Sequence, residues 1–499
     1  MKSSIVKKFP LYDWWYLPET AGLTDPRDLI RTMLEARGFI DSKKGYHSPF
    51  LMGGMEAAVE RIISAKEKNE KVLIHGDYDV DGIVGVVLLY RFLKSAGMDP
   101  LIFLPTRQDN GYGLALEAVE KAIINGISLM VTVDCGISDR ENVRIGVENG
   151  IDFIITDHHK VPDELPDAVA IVHADIEGED YPFPSLSGAA VAYKLVQALS
   201  ERMKVPIEEN SYLPYVGLST ITDIMPLVGE NRQFVRDGIA AIQNGFAPHL
   251  ELLARAAGFK LEQIGARVLG IHIGSRLNAP GRLKSPVASA KFLMEENQSK
   301  MVKLAMKIEQ MNVKRREIQE NLAYKAVEMA KREKGNPVYV LNDADWHEGL
   351  LGTAASRVVD ATGCPAILFT KGKDGMWKGS GRSLNGIDLH KLLCECHETM
   401  HHFGGHPAAC GVTVEAEKFN DFKQQLIEHA NAVYPDGFDT EKLDITSKLS
   451  IWNVDTKFIN ELKVLEPYGN GNPEPLFEIG PVAIENASFV GGGNHMKMQ

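Results

Sequence analysis

His75-Gly76-Asp77-Tyr78-Asp79-Val80-Asp81-Gly82 sets three aspartates at alternate positions beside one histidine. Carboxylates that close repel one another unless protons or cations compensate them. The octet therefore reads either as a metal-binding turn or as a polar loop in which Asp79 or Asp81 caps the next helix. Recurrence downstream favours the metal. Asp134 follows the apolar run Ser128-Leu129-Met130-Val131-Thr132-Val133, Asp157-His158-His159 follows Asp152-Phe153-Ile154-Ile155-Thr156, and Asp223 lies in Ile221-Thr222-Asp223-Ile224-Met225-Pro226. Oxygen donors with one or two imidazoles suit Mn2+ or Mg2+ better than zinc, whose sites favour sulfur and nitrogen. Asp77, Asp79, Asp81, Asp134, His158, His159 and Asp223 exceed what one octahedral ion needs, which predicts two ions roughly 3.5 to 4 Å apart. Paired ions of that kind suit the hydrolysis of phosphate esters.

The elements that must position these groups are legible around them. Lys71-Val72-Leu73-Ile74 reads as a buried strand and the run from Ile83 to Tyr90 as a helix. From about 66 to 285, strands alternate with helices at short spacing, which predicts right-handed βαβ units in a doubly wound parallel sheet. Such sheets gather functional groups outside the carboxyl ends of their strands, near the point where strand order reverses. Three strands thus deliver acids and imidazoles to one edge, and Asp223 arrives from the end of a helical segment.

The Asp-x-Asp-x-Asp-Gly turn, the isolated Asp134, the Asp157-His158-His159 triplet and Asp223 resemble the four motifs of the DHH phosphoesterase superfamily. Within it they resemble the RecJ family of single-strand-specific DNA exonucleases, over nearly the whole chain and in the right order. The resemblance implies metal-dependent hydrolysis of single-stranded DNA from the 5′ end, releasing mononucleotides, in DNA repair and recombination. It also implies a single-strand-binding protein or a recombination helicase as partner. The seven ligands would hold the two ions, with Asp134 bridging them, His75 acting as a ligand or as support for one, and Asp157 orienting a histidine.

Substrate contacts are expected along both sides of a cleft. Arg107 and Tyr112 correspond to residues near the family's DNA path, although alone their segment is an ordinary turn. Ser275-Arg276-Leu277-Asn278-Ala279-Pro280-Gly281-Arg282 puts two guanidinium groups on a Gly/Pro loop. Their planar forks suit phosphate oxygens; composition alone favours a solvated loop, and the resemblance to a RecJ motif favours a phosphate clamp by Arg276, Asn278 and Arg282. Residues 286 to 335 hold a charged helical pattern, read as a spacer that sets the cleft, since Leu304, Ile308, Met311, Ile318, Leu322 and Val327 keep no strict heptad.

Residues 336 to 435 predict a smaller α/β domain. Its Gly379-Ser380-Gly381-Arg382 and Phe403-Gly404-Gly405-His406 segments let backbone N–H groups approach a phosphate beside an arginine and a histidine. They resemble the DHH-associated domain, which implies substrate contacts at Ser380, Arg382, Gly404, Gly405 and His406. His397-Glu398-Thr399-Met400-His401 fits the zinc-protease helix pattern, but one residue rather than two separates Gly404 from His406, and a five-residue match arises easily by chance.

Composition sets the remaining bounds. A net charge of −13 over 499 residues argues against indiscriminate nucleic-acid binding, so any basic surface must be local. Five scattered cysteines do not read as a disulfide framework, and neither a signal core nor a membrane span is visible, which predicts a cytoplasmic protein. Residues 1–65 read as an amino-terminal cap on the next domain, with Trp14 and Trp15 as packing anchors. Residues 436–499 resemble the start of an oligonucleotide-binding β barrel that stays incomplete, which weakens the expected grip on a long strand. Two other classes remain: a phosphodiesterase for short oligonucleotides or cyclic dinucleotides, and a non-catalytic DNA-binding scaffold. The full set of motif acids argues against the scaffold.

Overall fold

Val72-Leu73-Ile74 and Leu129-Met130-Val131 are apolar on both faces, as strands covered on both sides must be. In the computed structural model, Val72–Gly76, Leu129–Val133 and Asp152–Thr156 form the centre of a five-stranded parallel sheet, with Leu101–Phe103 and Ala170–Val172 at its edges. The model describes residues 12–16, 20, 22–23, 25–40, 45–106, 113–178, 180–333, 335–384, 386–435, 438, 441–490 and 495–499, with backbone alone at 12–16 and 441–443. Across this sheet the strands run second, first, third, fourth, fifth in chain order, so strand order reverses between the first and the third. Register pairs Gly76 with Val133 and Val133 with Thr156. Asp77, Asp134 and Asp157 therefore leave three adjacent strands in one row.

Helices Val80–Ser95 and Gly188–Met203 are buried along most of their length and pack together on one face of the sheet. Met55–Glu67 belongs to the same core. The charged helical stretch of 286–335 is two helices, Val287–Met294 and Gln298–Arg332. The break falls where the Asn297 side chain caps the second, accepting from Lys300 N–H at 3.1 Å. Met301, Ala305 and Ile308 join the first core, whereas Leu322, Ala326 and Ala330 join that of the second sheet. The long helix is thus a wall shared by two cores as well as a spacer.

The second sheet orders His402–His406, Ala409–Val414, Trp377–Arg382, Ala366–Lys371 and Tyr339–Asn342, with only the last two parallel. The expected loop at 275–282 is instead helical: Val268–Gly274 is a π-helix that runs into the α-helix Ser275–Leu283, with Pro280 inside it. His397–Thr399 is a single 3-10 turn that ends before His401, so these histidines do not share the α-helical face that a zinc-protease motif requires.

The chain divides into two compact units, Gly45–Asp439 with Gly469–Gly471, and Met1–Lys44 with Thr440–Tyr468 and Asn472–Gln499. The expected 1–65 cap divides accordingly. In the smaller unit Tyr12–Tyr16, which carries Trp14 and Trp15, pairs in parallel with Glu441–Ile445. Helix Pro26–Ala36 packs Leu29, Ile30 and Met33 on Leu449, Phe458, Leu462 and Leu465, because its apolar face matches those of the carboxyl-terminal segment. Strand pairs Ser447–Leu449 with Phe477–Ile479 and Ala487–Val490 with His495–Met498 follow, and no barrel closes among the described residues. Among the described residues no helix is long and apolar enough to cross a membrane.

Candidate active site

A β-strand ends where its ladder runs out, and here each end carries an acid. Asp77 N–H donates to Val133 O at 3.3 Å, Asp134 N–H to Thr156 O at 2.9 Å and Asp157 N–H to Val172 O at 3.2 Å. Asp134 has φ +62, a left-handed conformation that an aspartate tolerates better than a branched residue would. Opposite it, a Cβ at Gly188 would lie 2.5 Å from Asp134 Cβ, so only glycine lets that helix start so close. Asp79 does cap the helix Val80–Ser95, accepting from Asp81 and Gly82 N–H at 2.8 and 3.2 Å through one oxygen. Capping and ligation are therefore compatible, since the second oxygen stays available. Asp81 reaches across to the start of Gly188–Met203, where Gly188 and Ala189 N–H each donate to it at 2.7 Å and Ser219 adds its hydroxyl.

The seven predicted ligands converge. Asp134, His158 and His159; Asp81, His158 and Asp223; and Asp77, Asp79 and Asp134 form three groups, each with ligand atoms within 4.8 Å of one another. Asp134 and His158 each belong to two. His158 Nε2 lies 3.1 Å from Asp134 Oδ1 and 3.5 Å from Asp223 Oδ2. Both His158 Nε2 and Asp134 Oδ1 are buried without a hydrogen bond among the described residues. Burial first, then the neighbouring carboxylates, pushes Asp134 well above the usual carboxyl range, Asp223 up to about 9 and Asp79 up to about 6. Burial also holds the His158 imidazole neutral, with its pKa lowered. Five acids gathered in one place, three of them resisting ionisation, facing orphaned imidazole and carboxylate atoms, fit divalent cations with a preference for oxygen donors.

Asp157 stands behind this set. One oxygen accepts from His158 and His159 N–H at 2.8 and 3.1 Å and meets His159 Nδ1 at 2.7 Å, while the other accepts from Ile137 N–H at 3.0 Å. Burial opposes both charges, and their hydrogen bond outweighs it, lowering the Asp157 pKa and raising that of His159. His75 is turned away: Nε2 accepts from Ala115 N–H at 3.3 Å and Nδ1 faces Cys135 Sγ at 3.4 Å. Burial lowers its pKa to about 4, so it is neutral packing beside the site.

A second wall faces the acids within the same unit. A Cβ at Gly281 would lie 3.0 Å from the Tyr78 carbonyl oxygen, and one at Gly349 would lie 2.2 Å from that of Arg282. The helix Ser275–Leu283 is therefore wedged between the acid turn and the smaller domain, with Asn278 and Arg282 half-buried along it. Beyond Gly349, Arg382 and Ser380 pack on Gly352 at the start of helix Leu351–Thr362, with Arg382 Nη1 3.2 Å from Ser380 Oγ. Register aligns Gly404, Gly411 and Ser380 in one row, and His406, Ala409 and Arg382 in another. The Gly-Gly-His segment is thus an edge strand on the same sheet as Ser380 and Arg382. Arg276 does not join them: its fork is closed by Glu309, with Nη2 3.1 Å from Oε1, because it pins its helix to Gln298–Arg332. Arg107 and Tyr112 lie outside the described residues.

Sequence reasoning missed the supports. Ser187 and Ser219, joined at 2.7 Å, line the floor under Asp81, and buried His173 fixes the His159 carbonyl at 2.9 Å. Asn470 Nδ2 donates to Ile224 O and its own carbonyl accepts from Leu227 N–H, both at 2.7 Å, holding the loop that follows Asp223. Only the polar Tyr-Gly-Asn-Gly-Asn stretch hinted at that clamp.

Family models for the DHH family N-terminal domain, the DHHA1 domain and the RecJ OB domain match residues 71–218, 319–432 and 445–499. The single-stranded-DNA-specific exonuclease RecJ of Haemophilus influenzae is 31% identical, covering 99% of this chain and 87% of the relative. The chain belongs to the RecJ family. The Bacillus subtilis RecJ exonuclease is 32% identical over 94% of this chain, which spans 59% of that longer relative. A crystal structure of Thermus thermophilus RecJ in complex with Mn2+ superposes with a TM-score of 0.85 at 29% identity, covering 99% of this chain and 73% of that one. The same RecJ has been solved with Mg2+. Both are cations of the kind that the donor set here fits.

Proposed function

We propose that this chain is a metal-dependent exonuclease that hydrolyses single-stranded DNA from the 5′ end and releases mononucleotides. The observation that carries this is the convergence of five acids and two imidazoles at the strand-order reversal, with Asp134 common to two of the three ligand groups. Asp77, Asp79, Asp81, Asp134, His158, His159 and Asp223 would hold two ions, Mn2+ or Mg2+, with Asp134 belonging to two of the ligand groups. Divalent cations supply acidity to water and countercharge to phosphoryl oxygens. The chain's own residues do the rest. Gly188, Ala189 and Ser219 fix Asp81, and Asp157 fixes His159. Arg282 and Arg382 offer planar donors, with Ser380, Asn278, Gly404, Gly405 and His406 beside them, for the phosphates of the strand. Arg107 and Tyr112 are assigned to the DNA path, and the 5′ polarity and mononucleotide product to this chain, by family likeness. Action in the cytoplasm, with a single-strand-binding protein or a recombination helicase, belongs to the same proposal.

Digestion of single-stranded oligonucleotides labelled at one end, with Mn2+, Mg2+ or chelator, tests this. Release of labelled mononucleotide from the 5′-labelled strand, with a shortening ladder from the 3′-labelled one, is expected only with metal. Cleavage confined to a dinucleotide would overturn the reading in favour of a small-substrate phosphodiesterase, and no cleavage in favour of a scaffold.

A further inference from the structure

Where Ser275–Leu283 meets Gln298–Arg332, several guanidinium groups gather, and two of them are balanced by carboxylates. Arg276 is 7% exposed and closed by Glu309, with Nη1 donating to His272 O at 2.9 Å. Arg316 pairs with Glu320 at 3.7 Å. Arg315 differs from both. Its Nη1 donates to Gln319 Oε1 and its Nη2 to Asn312 Oδ1, each at 2.8 Å, and both acceptors are neutral amides. Its Nε is buried without a hydrogen-bond partner, and no ion pair to Arg315 is formed among the described residues.

A guanidinium has five N–H donors and stays charged in proteins. Two of the five are committed here, to acceptors that bring no charge. Burial first, then Arg282, Arg316 and Arg276, holds the Arg315 pKa down to about 10 and outweighs the opposing pull of Glu320, the carboxylate that pairs with Arg316. Asn312 is 2% exposed, so a buried amide is spent on aiming this one group. A half-buried charge with fixed geometry and, among the described residues, no carboxylate in contact with it is costly unless an anion completes it. Arg282 connects it to the acids, since the preceding Gly281 lies against Tyr78 of the acid turn. Cationic side chains thus continue from that turn to Arg315.

We propose that Arg315 binds a backbone phosphate of the single strand other than the one being cleaved, with Asn312 and Gln319 as positioning residues that aim its fork. This rests on the single-stranded DNA reading above. It also assigns to Arg315 the clamp that the Gly/Pro segment suggested for Arg276, whose charge Glu309 already balances.

Anisotropy of a labelled single-stranded 20-mer, with Ca2+ in place of Mn2+ to suppress cleavage, measures affinity across a salt series. Arg315→Gln should weaken binding about tenfold and reduce the slope of log affinity against log salt by about 0.7, one single-strand phosphate contact. Arg315→Lys keeps the charge and loses the fork, and Asn312→Ala leaves the fork unaimed, so both should lose several-fold in affinity with the slope unchanged. With Mn2+, KM for long strands should rise in Arg315→Gln while kcat stays nearly constant, and dinucleotide cleavage should not change. Wild-type affinity and slope in Arg315→Gln would overturn the assignment. If that variant does not fold, wild-type affinity in both Arg315→Lys and Asn312→Ala overturns it instead. A wild-type protein that cleaves nothing while Arg315→Gln still lowers the slope would sink the exonuclease reading and leave Arg315 standing; a wild-type protein that binds no single strand would sink both.

Discussion

Asp134 concentrates the physics of the site in one carboxyl group. It is buried, left-handed in its backbone, shared by two ligand groups and surrounded by Asp77, Asp79, Asp81 and Asp223. Asp134→Asn removes a carboxyl that burial and its neighbours keep from ionising freely, so the metal-free protein should melt at the same temperature or higher. Turnover should fall by roughly 10²- to 10³-fold or more, the scale of losing one preorganised electrostatic group. Melting curves with and without Mn2+, beside a nuclease assay, separate the two effects. The raised carboxyls also fix a pH dependence. Asp223 at about 9 and Asp79 at about 6 stabilise the metal-free fold below the ordinary carboxyl value of 3.8, and that stability is lost as pH rises through the raised values. Cations must expel those protons, so the rise in Tm caused by Mn2+ should be larger at about pH 8.5 than at about pH 6. An equal rise at both would show that the acids are already ionised without metal.

At the scale of elements, the acids depend on how closely a helix can begin beside a strand end. Gly188→Ala would force its Cβ to 2.5 Å from Asp134 Cβ, at an overpacking cost of about 1 to 3 kcal/mol. Asp81 would be displaced with it, because Gly188 N–H is one of its donors. Reduced metal affinity beyond the loss of thermal stability is the expected outcome, read by Mn2+ titration of the variant. The acids were legible in the sequence because strand ends in parallel sheets are where turn residues and function coincide, and three such ends carried Asp. The helix at 275–283 was not legible: Gly281 and Pro280 argue for a loop locally, while packing against Tyr78 and the long helix decides otherwise. Arg315 was hidden for a related reason, since a charged residue in a charged helical pattern looks solvated until its neighbours in space are known.

At the scale of the whole molecule, boundaries in sequence and in space diverge. The amino-terminal 1–44 segment and the carboxyl-terminal strands share one unit, which no local pattern encodes, because strand pairing between residues some four hundred apart leaves no periodic trace. Gly469–Gly471, by contrast, belongs with the larger unit and grips the loop after Asp223. Ile224 has φ +57 there, a strained conformation for a β-branched residue that persists only where surroundings impose it. Asn470→Ala should therefore relax that loop and lower metal affinity by about 10- to 100-fold, the range seen for supports of metal ligands. Calorimetric titration with Mn2+ checks this, and wild-type affinity would show that the loop holds its shape unaided.

The row formed by Asp77, Asp134 and Asp157 bears on how the protein is made. Each acid is the first residue beyond its strand, so sliding any strand by one position would turn its side chain to the opposite face of the sheet. Parallel strands pair only after long crossovers have closed, so this register is expected to form late in folding. A nascent or partly collapsed chain consequently has scattered aspartates and no cutting centre. The proposed hydrolytic centre is withheld until residues as distant as Asp77 and Asp223 have found one another, a safeguard that needs no inhibitor.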